Sequence, residues 1–156
     1  MSNCCSSKSD FTEESIKPEV PTLCPLCGQK GLKVKPLTLQ SLLTVEEASD
    51  FAFEGFRFCR TQGCQVAYFG LDETLFTTEQ VKVPIYQKDL NPEVYVCYCF
   101  KVSRGEVVAS VGRGEGSQTY DQVKQKKDTS GWDCEAKNPQ GNCCFGNLKD
   151  LIQSAQ

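Results

Sequence analysis

Two short-spaced cysteine pairs, in "CPLCGQKG" (Cys24, Cys27) and "CRTQGC" (Cys59, Cys64), precede a second group made of Cys97 and Cys99 in "CYCF", Cys134 in "GWDC" and the adjacent Cys143 and Cys144 in "GNCCFGNL". The chain has eleven cysteines and no histidine. A metal held here must therefore sit on sulfur or oxygen. The absence of histidine also excludes Cys-His and Ser-His-Asp catalysis, HExxH zinc chemistry, Rieske ligation and mixed cysteine-histidine zinc fingers. The single methionine is Met1, which leaves no thioether copper site.

What these thiols do depends on the compartment. The opening "MSNCCSSKSD" lacks the apolar stretch of a signal peptide, and no run of about 18 apolar residues follows, so a cytoplasmic location without membrane insertion is expected. Thiols stay reduced there, and clustered cysteines are read as metal ligands or redox groups before structural disulfides. Net charge is −3, and the densest basic patch, Lys124-Gln125-Lys126-Lys127, is one helical turn. That balance is a poor match for nucleic acid and argues against a zinc-ribbon nucleic-acid binder.

The chain divides into three stretches. Residues 1–20 are rich in Ser, Lys, Asp and Glu without sustained periodicity, the composition of a flexible tail. Residues 21–92 form a zinc-ribbon module with a connecting strand. Leu32 and Val34 alternate with lysines, Phe56 and Phe58 flank Arg57, and Val66, Tyr68 and Phe69 follow Cys64, all patterns of short strands. Thr44-Val-Glu-Glu47 has the form of a capping box and predicts one helical turn. Pro84 and Asn91-Pro92 mark a seam. Residues 93–156 read as helical: Ser103 and Glu106 cap a first helix with Val107, Val108 and Val111 on one face and Gly112, Gly114 and Gly116 at its end. Thr119 and Gln122 cap a second helix through about Lys127, and Leu148, Leu151, Ile152 and Ala155 give a third.

In the first cysteine group, Pro25 and Gly28 ease a turn that folds both sulfurs of Cys24 and Cys27 to one side. A second such turn at Cys59 and Cys64 completes a four-thiolate tetrahedral set, the closed geometry of structural zinc. The competing thioredoxin-like reading of Cys-x2-Cys requires a long helix after the pair, whereas "GQKGLKVKPL" is turn and strand. With no open coordination position, such a zinc would serve as a staple for a fold of about 45 residues too small to bury enough apolar surface alone.

The second group offers the four thiolates that a [2Fe-2S] cluster needs. Cys-x-Cys is unusual for a mononuclear zinc knuckle, but two sulfurs on a short loop suit neighbouring positions of an iron-sulfur rhomb. Helix starts soon after Cys99 and Cys144 are expected to aim backbone N–H groups and the positive end of the helix dipole at the sulfurs.

The segments "CYCFKVSRGEVVASV", "GEGSQTYDQVKQ" and "CEAKNPQGNCCFGNL" resemble the bacterioferritin-associated-ferredoxin (BFD) type of [2Fe-2S] domain, which joins a Cys-x-Cys, two helices and a later cysteine pair before a third helix. This chain departs from that pattern: the usual closing Cys-x2-Cys is replaced by Cys134 and, nine residues on, the pair Cys143-Cys144. Aligning on the following helix favours Cys144 over Cys143, giving Cys97, Cys99, Cys134 and Cys144 as the implied cluster ligands. Taken from Cys24 to Leu151, the order "CPLCG", "FCRTQGCQVAYF", "VCYCFKV", "GNCC" resembles the N-terminal region of CopZ-type copper chaperones and related iron-sulfur metallochaperones, which carry one zinc and one [2Fe-2S] cluster. Long CopZ proteins continue into a βαββαβ heavy-metal domain with a Met-x-Cys-x2-Cys loop. The sequence to Gln156 contains none, so copper delivery does not carry over simply.

The expected fold class is α+β, a small β-rich zinc ribbon followed by a small helical BFD-like [2Fe-2S] module, with Zn2+ and a [2Fe-2S] cluster as cofactors. The expected role is soft-metal handling, copper foremost, as metallochaperone or one-electron reductant, with Cys4 and Cys5 as a candidate site for the transferred ion. The alternative is a ferredoxin-like electron-transfer or docking module without cargo. A metal-transporting ATPase or a redox partner is the expected recipient. No enzyme activity is expected: Glu13-Glu14 and Glu46-Glu47 read as solvated charges, and Gly112-x-Gly114-x-Gly116 follows a helix where a phosphate loop would follow a strand.

Overall fold

The computed structural model describes residues 19–44 and 52–156. Cys4, Cys5 and the capping-box residues after Thr44 lie outside them. The class is α+β. A four-stranded antiparallel sheet runs in the order β1 (Leu32–Lys33), β2 (Arg57–Phe58), β3 (Val66–Phe69), β4 (Leu75–Thr77). Register pairs Leu32 with Phe58, Phe58 with Tyr68 and Tyr68 with Phe76. All four residues of β3 are buried, because the strand is covered on both faces. One face meets the cysteines through Val66 and Phe69, and the other meets an apolar cluster that includes Phe53, Phe56, Phe58, Tyr68, Phe76, Leu39 and Ile85.

That cluster is larger than a ribbon held only by a metal would require. Phe53 meets Phe56 and Phe76 edge to face, with ring centroids 5.7 and 6.0 Å apart, and aromatic pairs of this geometry add to the stability gained by burial. A helix that the alternation pattern did not reveal, α1 (Pro36–Leu42), closes the cluster. Pro36 supplies a φ suited to the first helical position, and Thr38, Leu39 and Leu42 turn inward.

The C-terminal half begins with a two-stranded hairpin, β5 (Tyr95–Cys97) with β6 (Val102–Ser103), which continues into α2 (Arg104–Gly112). The expected capping box is present: the Ser103 hydroxyl accepts from the Glu106 N–H at 3.2 Å, and the Glu106 carboxylate accepts from the Ser103 N–H at 2.7 Å. Val107 is buried and Val111 packs beside it, but Val108 turns to solvent. The next helix, α3 (Gly116–Ser130), starts three residues before the expected cap. Thr119 lies inside it, its hydroxyl bonded back to the Glu115 carbonyl. Gly116 tolerates this start because it meets Val111 and Ile152 closely enough that a Cβ would lie 2.9 Å from one and 3.1 Å from the other. A short α4 (Cys134–Lys137) and α5 (Phe145–Ser154) complete the chain. Val96, Val107, Val123, Leu148, Leu151 and Ile152 form the second core.

The halves touch along two fronts. Helix α1 packs against α4. Lys35 pairs with Glu135, and Gly141 approaches so near that a Cβ would lie 2.9 Å from Thr38 Oγ1 and 3.1 Å from Val34. The second front is the Pro84 to Pro92 segment. No helix among the described residues is long and apolar enough to cross a membrane.

Candidate metal centres

The first four cysteines converge. The Sγ atoms of Cys24, Cys27, Cys59 and Cys64 all lie within 4.8 Å of one another, with Cys24 to Cys64 at 3.9 Å and Cys27 to Cys59 at 3.6 Å. Tetrahedral zinc with bonds of about 2.3 Å needs sulfurs about 3.8 Å apart, so the donor set fits the ion. Two tight turns create this geometry. Cys24 and Gly28 are joined by an N–H to carbonyl bond of 2.8 Å, and Cys64 donates to the Thr61 carbonyl at 3.2 Å. Gly28 and Gly63 take φ of +72° and +79°, a region that side chains rarely enter. Cys24, Cys59 and Cys64 are buried and Cys27 is half-buried, and four thiolates would fill the coordination of a tetrahedral ion.

The environment splits the thiols. The Thr61 hydroxyl, 3.3 Å away, holds Cys27 down at about 6, whereas burial raises Cys24 and pushes Cys64 up to about 12. Cys27 is thus a thiolate before metal arrives, whereas Cys24 and Cys64 release protons as it binds.

The second set is arranged as two pairs. Cys99 and Cys134 lie 3.6 Å apart, and Cys97 and Cys144 are buried together in the second core. The four do not gather within the radius of a single ion, as the first set does. Two thiolates for each of two irons is what a [2Fe-2S] cluster requires, so this donor set fits it as well. Cys97 ends β5, Cys134 opens α4 and Cys144 precedes α5. The Cys144 side chain, aided by the backbone N–H groups of Phe100 and Cys99, holds Cys97 down at about 6. The Cys144 thiol itself is pushed up by its interaction with Cys97 and by burial, and burial pushes Cys134 up to about 12. The N–H groups that aid Cys97 come from the Cys-x-Cys loop itself, not from the start of α2, where Glu106 already fills the cap.

Cys143 faces elsewhere. Its sulfur lies 3.5 Å from Lys127 Nζ, which also sits over the rings of Trp132 and Phe145. The buried member of the adjacent pair is Cys144.

Of the second set only Cys99 is not buried; Cys134 is 7% exposed. Cys97 and Cys144 are 1% and 4% exposed. Cys99 is only half-buried and accepts the N–H of Asp133 at 3.4 Å; the residue before Asp133, Trp132, is 59% exposed. A cavity of about 270 Å³ opens there, lined by Trp132, Asp133, Cys134, Glu135, Asn142 and Cys143.

Sequence reasoning missed Lys88. Its Nζ lies 3.0 Å from the Thr61 carbonyl, 2.9 Å from that of Cys64 and 3.7 Å from Cys59 Sγ. A lone lysine 24 residues beyond the last zinc-set cysteine carries no sequence signal for such a contact.

Comparison with known proteins agrees with both centres. Residues 21–82 match the CopZ zinc binding domain family, and residues 95–154 match the BFD-like [2Fe-2S] binding domain family. The X-ray structure of the Archaeoglobus fulgidus CopZ N-terminal domain superposes with a TM-score of 0.67 at 28% identity, covering 83% of this chain and 96% of that one. A comparison with curated proteins returned no match. Residues 21–82 thus belong to the CopZ zinc binding domain family and residues 95–154 to the BFD-like [2Fe-2S] binding domain family, in a chain similar as a whole to the CopZ N-terminal domain.

Proposed function

We propose that this protein is a cytoplasmic one-electron carrier for soft-metal handling, copper foremost, that reduces the ion and passes it on as a metallochaperone. Cys24, Cys27, Cys59 and Cys64 hold zinc as a structural ion, and Cys97, Cys99, Cys134 and Cys144 hold the cluster. A [2Fe-2S] cluster supplies one electron at a time. The observation that carries the reading is the uneven burial of its ligands: Cys97, Cys134 and Cys144 are buried, while Cys99 is half-buried and bonded to Asp133, which follows exposed Trp132. Electrons would enter and leave by the Cys99 and Cys134 edge. The same edge carries Cys143, a thiol outside both sets, in the cavity that Cys134 lines. Thiolates of this kind, with Cys4 and Cys5, suit Cu(I) better than Cu(II). The recipient of the reduced ion would be a metal-transporting ATPase or a redox partner, and the role is that of a carrier, not an enzyme.

The test is anaerobic addition of Cu(II) to dithionite-reduced protein freed of excess reductant, with Cu(I) captured by a chromophoric chelator. One Cu(I) per reduced cluster is expected, Cu(II) losing its oxidised state as the cluster loses one electron. Reduced protein that leaves Cu(II) unchanged would reject the metal-reductant role and favour an electron-transfer module without cargo.

A further inference from the structure

Residues 84–89 form a turn gripped from both metal centres. Backbone N–H groups of Lys88 and Asp89 both close on the Ile85 carbonyl at 2.9 Å. From the zinc side, the Lys88 ammonium reaches the loop between Cys59 and Cys64, bonding both the Thr61 and Cys64 carbonyls and lying against Cys59 Sγ. Four thiolates around one dication leave two negative charges in excess, which a cation at this distance offsets.

From the other side the grip comes from Tyr98, the one residue between Cys97 and Cys99. Its buried hydroxyl donates to the Pro84 carbonyl at 2.6 Å and accepts the Tyr86 N–H at 2.9 Å, so both of its hydrogen-bonding capacities are spent on this turn. Arg104, at the start of α2, donates to the Tyr86 and Asp89 carbonyls and lies 4.2 Å above the Tyr86 ring.

We infer that the Lys88 to Tyr98 turn couples the two centres, so that zinc bound at Cys59 and Cys64 orders the Cys97–Cys99 loop for the cluster. Without zinc, the loop from Cys59 to Cys64 has no ion to fix its turns, and the three acceptors of Lys88 lose their common geometry. The turn then holds Tyr98 less firmly, and the Cys-x-Cys loop with it. Linkage makes the effect reciprocal in affinity: whatever factor zinc contributes to binding of the cluster, the cluster contributes to binding of zinc. Lys88 and Tyr98 are positioning residues here, since Tyr98 bonds backbone alone and Lys88 touches only one ligand sulfur.

The experiment uses full-length protein loaded with both cofactors. Two rates are measured, cluster bleaching by a ferrous chelator and zinc transfer to a chromophoric chelator. Lys88→Met, which keeps the stem and removes the charge, should accelerate both by about fivefold or more, alter the visible circular dichroism of the cluster, and be restored by Lys88→Arg. Tyr98→Phe should accelerate zinc transfer as well, although it touches no zinc ligand. The double variant should exceed the larger single effect by little, because both substitutions break one connection. Faster zinc transfer with unchanged bleaching in Lys88→Met would overturn the coupling. So would failure of Lys88→Arg to restore the rates, or effects that multiply in the double variant, the sign of general destabilisation.

Discussion

The Tyr68 hydroxyl of the zinc-binding domain donates to the Pro139 carbonyl, 2.6 Å away and buried, in the loop that separates Cys134 from Cys144. A strand beside the first metal set thus supports the loop that carries half of the second. Burial keeps the phenol neutral by raising its pKa, so the bond persists across the physiological range.

Tyr68→Phe removes the donor and leaves a buried carbonyl without a partner, a loss on the order of 2 kcal/mol. Thermal unfolding should fall by several degrees, and amide exchange should quicken over residues 138–144, including the Gly141 N–H that now bonds Asn138. Unchanged exchange there would mean that the loop is held by its own hydrogen bonds to Asn138 and Gln140.

Cys143→Ala and Cys144→Ala should part company. Cys144 is buried with Cys97 in the second core, whereas Cys143 lies against Lys127. Only Cys144→Ala should bleach the cluster, measured as loss of visible absorbance and iron. Equal loss in both would show that the adjacent pair shares the site.

Zinc retention should depend steeply on pH. Cys24 and Cys64 are raised above the ordinary thiol value, Cys64 to about 12, so both still carry protons at pH 7 that zinc must displace. Cys27 sits at about 6 and joins them only in acid. Competition with a chelator should therefore show the dissociation constant falling by about two orders of magnitude or more per pH unit between roughly 7 and 8. The dependence should be steeper still below about 6, with zinc lost as pH falls.

Cys4 and Cys5 lie outside the described residues, and their role is tested by uptake. Wild type should bind one more equivalent of Cu(I) or Hg(II) than a Cys4→Ser/Cys5→Ser variant, with equal iron and zinc in both. Identical uptake would remove this pair as a transfer site and shift the cargo thiol to Cys143.

Much of this was legible because thiol chemistry is local in sequence. The Cys24/Cys27 and Cys59/Cys64 turns, the Ser103–Glu106 cap and the apolar face of α5 each lie within a few residues and declare their geometry by spacing alone. What stayed hidden depends on distant partners. Helix α1 in "PLTLQSL" is too short for periodicity to separate from a strand, and Pro36 at its first position was the one local signal available for it. Val108 follows the helical pattern yet faces solvent, since the second core already closes around Val107 and Val123. The Pro84 to Pro92 segment read as a seam because prolines interrupt it, but its turn is bonded to Tyr98, Arg104 and the zinc loop at once. Proline restricts local conformation without saying what the chain packs against.

Two separate four-cysteine sets that bind different metals have a stoichiometry that metal analysis of anaerobically purified protein reads out. Iron, acid-labile sulfide and zinc should be present at about two, two and one per chain. Cys99→Ser should lower iron and sulfide sharply, and Cys24→Ser should remove the zinc. Iron and sulfide without zinc in the wild type, or zinc in both sets with no labile sulfide, would contradict the account.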